Sequence, residues 1–145
     1  MVTLQKISNK HADTISKHAK ILKTDVEKMI SDSDSKSFDG RFFEMYVVMS
    51  GEEIVGLISL FEHSASIVSI GPEIFTESRK LGYATKAMQI AIDIARSIGY
   101  KIVFQQVRVN NIASIKLHKK LGFETDNIIY KNRKNNEIFI YLKSI

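Results

Sequence analysis

A chain of 145 residues with 44% apolar and 26% charged residues is large enough to bury a core without staples, and residues 1–145 are expected to form a single domain. The absence of cysteine excludes disulfides, thiolate metal sites and a cysteine nucleophile. A net charge of +5 suggests an anionic partner, and nucleic acid, a membrane surface and a phosphate-bearing cofactor all fit it.

Val2 to Ile7 alternates and reads as an edge strand. Asn9 can cap a helix on which Ala12, Ile15, Ala19 and Leu22 share a face. Thr24 or Asp25 starts a second short helix through Val26, Met29 and Ile30. The polar stretch Ser31 to Ser37 then reads as a surface connector or as a flap over a substrate site. Phe42 to Met49 and Ile54 to Phe61 are strands joined by a hairpin turn at Ser50-Gly51-Glu52-Glu53. A turn at Glu62-His63-Ser64 leads to a strand from about Ser66 to Phe75, in which Pro72 predicts irregular or missing pairing.

Ala84 to about Ser97 is the best helix, with Ala84, Ala87, Met88, Ala91, Ala95 and Ile98 on one face and Gly99 ending it. Lys101 to Val107 reads as a buried strand, and Asn111 to Leu121 as a helix ended by Gly122. Phe123 to Lys131 and Ile138 to Leu142 form a last hairpin around Asn132 to Asn136. This order predicts a mixed sheet with helices on both faces. The amino-terminal residues lack the pattern of a secretory signal, and no apolar run nears the ~18 residues of a membrane helix, so a cytoplasmic protein without membrane contact is expected.

The segment Arg79-Lys80-Leu81-Gly82-Tyr83-Ala84 joins a strand to a helix. Free N–H groups and the helix dipole make such a start electropositive, and Gly82 lets a ligand approach the backbone. The segment reads as a phosphate or pyrophosphate site, or as an ordinary turn. Neither a Gly-x-Gly-x-x-Gly nor a Gly-x-x-x-x-Gly-Lys-Ser/Thr motif occurs, which argues against a Rossmann cofactor or a P-loop nucleotide.

Arg79 to Ala84 resembles the Arg/Gln-x-x-Gly-x-Gly/Ala signature of the GNAT superfamily of N-acetyltransferases. Asn111 to Phe123 is similar to that family's second signature, Asn-x-x-Ser/Ala-x-x-Leu-Tyr-x-Lys-x-Gly-Phe, and Gly51 to Gly56 to its common hairpin. The resemblance spans essentially the whole chain in the right order. It implies an α/β fold with a central mixed, mostly antiparallel sheet of about seven strands flanked by about four helices, splayed between the fourth and fifth strands.

The resemblance also implies roles. The pantetheine arm of acetyl-CoA enters the splay and pairs with backbone groups of Ile74, Phe75 and Thr76, one of whose N–H groups polarises the thioester carbonyl. Arg79, Lys80, Leu81, Gly82, Tyr83, Ala84 and Thr85 hold the pyrophosphate. Asn111 and Ser114 face the cofactor's sulfur end, although Asn111 also suits a helix N-cap and Ser114 a packing position. His118 replaces the family's usual tyrosine, the residue thought to protonate the departing thiolate. Imidazole, with a reference pKa of about 6.5, could serve, as could water, and a plain helix-end histidine is the alternative. Glu73 is the first candidate for the general base, ahead of Glu62 and Glu44. Lys116, Lys119 and Lys120 suit the helix dipole or the 3′-phosphate of CoA. The four histidines show no ligand spacing, so no metal is expected.

The implied activity is transfer of acetyl from acetyl-CoA to a primary amine, of a small molecule or a peptide, by direct attack in a ternary complex. The alternative is a non-catalytic acyl-CoA-binding or sensing module of the same fold. A nucleic-acid-binding domain ranks last, because basic and aromatic residues are not interleaved. Monomer and homodimer both fit.

Overall fold

Runs of β-branched and aromatic residues build the strands, and the computed structural model describes all of residues 1–145. In chain order the elements are β1 (Val2–Lys6), α1 (Ala12–Ala19), α2 (Lys23–Asp34), β2 (Phe43–Ser50), β3 (Glu53–Ser64), β4 (Ile67–Ile74), α3 (Tyr83–Ile98), β5 (Ile102–Arg108), α4 (Ile112–Lys120), β6 (Tyr130–Lys131) and β7 (Glu137–Ser144). The strands make one seven-stranded sheet in the order β1-β2-β3-β4-β5-β7-β6. All neighbours are antiparallel except β4 and β5, which run parallel. The expected mixed, mostly antiparallel sheet with four helices is therefore present.

Side chains alternate along a strand, so the central strands feed two cores. On one face α1 and α2 bury Ile15, Val26 and Ile30 against Val47, Met49, Leu57 and Phe75. On the other, α3 lays Ala87, Met88, Ala91, Ile92 and Ala95 over Val48, Ile58, Leu60, Val68 and Val103. Each large aliphatic side chain buried in this way contributes about 1.5–3 kcal/mol. Two residues expected on helix core faces lie outside: Leu22 precedes α2 and is 70% exposed, and Ile98, at the end of α3, is 46% exposed.

Three expectations are corrected. The stretch Ser31 to Ser37 is not simply a connector, since α2 runs on to Asp34. The buried residues Val26, Ile30 and Ser33 keep helical spacing, and the Ser33 hydroxyl accepts the Met45 N–H at 2.9 Å. The strand expected over Phe123 to Lys131 shrinks to Tyr130–Lys131 and an isolated bridge at Glu124. There Asn127 has a φ of 62°, and the Asp126 carboxylate accepts the Ile128 N–H at 2.9 Å, which coils the chain locally. Finally, β3 continues through the expected turn at Glu62 to Ser64, and its register shifts there, leaving His63 as the extra residue of a bulge.

Pro72 leaves the β3 side of β4 undisturbed, in register opposite Ile58. The β3–β4 contact is close at Gly56, where an added Cβ would lie 2.4 Å from the Glu73 carbonyl oxygen and 2.9 Å from Ile74 Cα. Gly56→Ala must push β4 away from β3. A loss of about 1–3 kcal/mol in urea unfolding is expected, and an unchanged midpoint would contradict the packing described.

Candidate functional site

β4 and β5 pair through only two positions, Ile67 with Ile102 and Val68 with Val103. Beyond them the backbones diverge and side chains span the distance. The Ser69 hydroxyl donates to the Phe104 carbonyl at 2.5 Å. The Gln105 amide then reaches across to Ile70, accepting its N–H at 2.9 Å and donating to its carbonyl at 2.5 Å. Past Ile70 the two strands share no pairing, and a gap opens.

Backbone groups alternate between the two edges of a strand. Since Ile70 faces β5, Pro72 and Ile74 face the gap as well. Pro72 has no N–H, so its presence in mid-sheet costs no ladder bond on this edge. Phe75 belongs to the opposite set: its N–H donates to the Val55 carbonyl at 2.9 Å. Its buried ring stacks on His18 at 5.1 Å, and His18 pairs in turn with the Glu77 carboxylate. Of the three residues expected to offer backbone groups, Ile74 thus turns a donor to the gap, and Phe75 does not.

At the mouth of the gap the chain turns into α3. Gly82 has a φ of 80°, and a Cβ there would meet nothing within 4 Å, so the left-handed backbone rather than crowding calls for glycine. The first turn of α3 holds no acidic residue, leaving its dipole uncompensated. Arg79 and Lys80 stand exposed beside it, and Arg79 Nε donates to the Ile74 carbonyl at 3.0 Å. Across the gap, Asn111 caps α4 by accepting the Ser114 N–H at 3.1 Å.

These elements surround a cleft of about 1040 Å³. Of the residues singled out in the sequence, Glu73, Ile74, Arg79, Lys80, Gly82, Tyr83, Ala84, Thr85, Asn111, Ser114 and His118 line it, as do Lys116 and Lys120. Phe75, Thr76 and Leu81 do not, and Leu81 is 63% exposed.

A protein-family model described as the acetyltransferase (GNAT) family matches residues 16–123. The chain belongs to the GNAT acetyltransferase family. No curated protein matches it in sequence. Among solved structures it is similar to a spermidine N-acetyltransferase from Vibrio cholerae in complex with CoA and spermine, at 14% identity over 99% of this chain and 95% of that one, with a TM-score of 0.82. It is similar as well to RimL, a ribosomal L7/L12 alpha-N-protein acetyltransferase in complex with CoA, at 14% identity over 99% and 94% of the two chains and a TM-score of 0.87. A third is yncA from Salmonella typhimurium with acetyl-CoA, at 14% identity over 99% and 94% and a TM-score of 0.79. At these identities the likeness establishes the fold.

Within this GNAT chain, His118 is buried and both ring nitrogens are engaged. Nδ1 donates to the Ser114 carbonyl at 2.7 Å, and Nε2 lies 3.2 Å from Gln105 Nε2, which donates to it. This arrangement fixes the neutral ring with its proton on Nδ1. Burial pushes the pKa down, and the Ser114 carbonyl opposes that shift. The imidazole has no proton directed at a leaving group, which counts against the acid role expected of it.

The two weaker glutamate candidates are engaged elsewhere. Glu62 accepts the Tyr100 hydroxyl at 2.8 Å; burial first, and this bond second, push the phenol pKa up. Glu44 is buried, bonded by the Tyr46 hydroxyl and 3.6 Å from Lys6 Nζ. Neither lines the cleft, whereas Glu73 does.

Gln105 and His63 escaped the sequence reading. A glutamine amid the apolar residues of a buried strand was a visible signal for Gln105. His63 lies on the rim, its Nε2 2.5 Å from the Ser69 hydroxyl, and no sequence pattern marks its bulge. Burial and, secondarily, Arg41 lower its pKa.

The pKa values of His11, His63 and His118 are all depressed, with burial the largest cause in each. A histidine held neutral contributes stability that is fully present above its unfolded pKa of about 6.5 and is lost as pH falls through the folded value. The thermal midpoint should be flat above pH ~6.5 and decline below it. In imidazole nitrogen spectra His118 should remain the Nδ1–H tautomer at pH ~6.5. A ring mostly protonated at that pH would contradict the geometry.

Proposed function

We propose that residues 1–145 act as one acetyl-CoA-dependent N-acetyltransferase domain whose acceptor is a primary amine. The observation that carries this reading is the gap between β4 and β5, which has an N–H donor at Ile74 on its edge and a cationic helix start at its mouth. Pantetheine amides can add to the open β4 edge as a further strand would. The pyrophosphate then meets the N–H groups at Gly82, Tyr83 and Ala84, with Arg79 and Lys80 adding charge. Thr85 on the first turn of α3, and Asn111 and Ser114 on α4, border the same arm.

The amine nitrogen attacks the thioester carbonyl carbon, and the Ile74 N–H receives the developing oxyanion. Collapse of the tetrahedral adduct breaks the C–S bond and expels the thiolate, while the second proton of the attacking nitrogen passes through water to the sulfur. A thiol of pKa ~8.5 is a good enough leaving group for water to supply its proton, so the neutral, doubly bonded His118 is no obstacle. Glu73 is the carboxylate on the rim that draws in the ammonium group and takes its proton, directly or through water. No covalent enzyme intermediate is required, which suits a chain without cysteine.

One observation favours a second reading, a non-catalytic module that binds acyl-CoA. The family's tyrosine is replaced by His118, whose hydrogen bonds leave it no proton to give. Thiol release separates the two readings. Incubation with acetyl-CoA and a panel of polyamines, aminoglycosides, amino acids and peptides should release free CoA with at least one amine. CoA binding without turnover across the panel would favour the module. With the acceptor so found, Glu73→Gln should lower kcat/KM by about 10² or more while leaving acetyl-CoA affinity unchanged. An unaltered kcat/KM would remove Glu73 from the mechanism.

A further inference from the structure

The cleft reaches through the sheet to the face that carries α1 and α2, where its lining changes character. The core under those helices takes in Leu57 of β3. Ser59 and Phe61 come next on that face, lie outside the core and line the cleft. Across the ladder they meet Gly71 and Ser69 of β4, with Glu73 opposite Leu57. On β5, Val103 joins the core under α3 and Gln105 meets His118 of α4, so Phe104 between them points to this second face.

The result is a trough along β4, with small residues on its floor and aromatic rings at its far end. The rings of Phe61 and His63 lie 6.0 Å apart and those of His63 and Phe104 5.1 Å apart, both edge to face. Phe38, 46% exposed, continues the row at 6.0 Å from Phe61. At about 3.3 Å per residue, Ser69 at this end is about 13 Å along β4 from Glu73.

Charge is placed unevenly along the trough. Glu73 is the only carboxylate that lines the cleft, and the cations Arg79, Lys80, Lys116 and Lys120 belong to the turn before α3 and to α4. Glu62 and Glu77 are taken up by Tyr100 and His18. The single Ser69 hydroxyl proton goes to the Phe104 carbonyl, so His63 Nε2 donates to the Ser69 oxygen, and both side chains are spent. A second ammonium group at the aromatic end would lose water without meeting a carboxylate, and the Arg41 charge lies near His63. A peptide backbone would find few free partners there. An uncharged ring gives up nothing polar and gains contact with the other rings.

Building on the reading of the cleft as an N-acetyltransferase site, we propose that the acceptor is an arylalkylamine, its one ammonium group drawn to Glu73 and its uncharged aromatic body lodged between Phe61 and Phe104. The alkyl arm crosses the small floor at Gly71 and Ser59, which leaves room for it.

The test measures kcat/KM with acetyl-CoA for 2-phenylethylamine, 4-phenylbutylamine and tryptamine against 1,5-diaminopentane, spermidine and a dialanine peptide. At least one arylalkylamine should exceed all three others by about tenfold or more. Phe104→Ala should raise its KM about tenfold and leave acetyl-CoA affinity unchanged, and Phe61→Ala serves in its place if that variant does not fold. Ser59→Asp, which sets a carboxylate in the trough, should turn the preference toward the diamine. A wild-type preference for the diamine, spermidine or the peptide overturns the proposal, as does an arylalkylamine KM indifferent to the lost ring. If the alanine variants instead alter which of acetyl- to hexanoyl-CoA is accepted, the trough holds the acyl chain and the proposal fails. Calorimetry on the CoA-loaded protein separates this inference from the activity. Selective binding of an arylalkylamine without turnover would sustain the trough and overturn the enzyme reading. Turnover or binding confined to other amines would overturn the inference and leave that reading intact, and failure to bind any amine or CoA would overturn both.

Discussion

β4 and β5 start as parallel neighbours and stay paired for two residues, after which each has backbone groups with no strand opposite. Buried peptide groups need partners, so the divergence must be bridged or filled. The chain bridges it in steps of increasing reach, from backbone at Val68 to a hydroxyl at Ser69 and a long amide at Ile70. At Pro72 there is no donor to satisfy. What remains is a short open edge at Ile74, lying between the helix starts that follow β4 and β5.

Much of the surrounding structure holds that edge still. Gly56 lets β3 approach the backbone of Glu73 and Ile74 more closely than any side chain would allow. Phe75 anchors the next residue by its bond to Val55 and its stack on His18, which ties α1 to the end of β4. Arg79 folds back on the Ile74 carbonyl, so one guanidinium both orders the edge and places positive charge at the mouth. A preorganised donor of this kind is worth more to a developing oxyanion than a mobile one, because little reorganisation accompanies the reaction.

The parts of the site governed by local chemistry were legible in the sequence. A glycine before an alanine-rich amphipathic run marked the start of α3, and Asn111 marked that of α4; both signals depend on residues a few positions apart. The two-faced sheet followed from strand and helix periodicities. What depends on contacts between distant segments was not legible. Pro72 hinted at an interruption but not at its side, which is decided by the position of β5. Phe75 and Ile74 look equivalent in sequence, and only the β3 register assigns one to Val55 and the other to the gap. Ser33 was lost among serines because its partner, Met45, lies across a turn. The partners of the two His118 nitrogens were hidden in the same way, since Gln105 lies on another element.

The central claim is that the open edge at Ile74 and the start of α3 receive the cofactor. Amide 1H–15N spectra recorded while acetyl-CoA is added test it most directly, since they require neither turnover nor knowledge of the acceptor. The account predicts large shifts at Ile74, Gly82, Tyr83 and Ala84, a much smaller one at Phe75, whose N–H is already bonded, and silence along β1. Binding that leaves Ile74 and Gly82 unmoved while shifting another surface would contradict it.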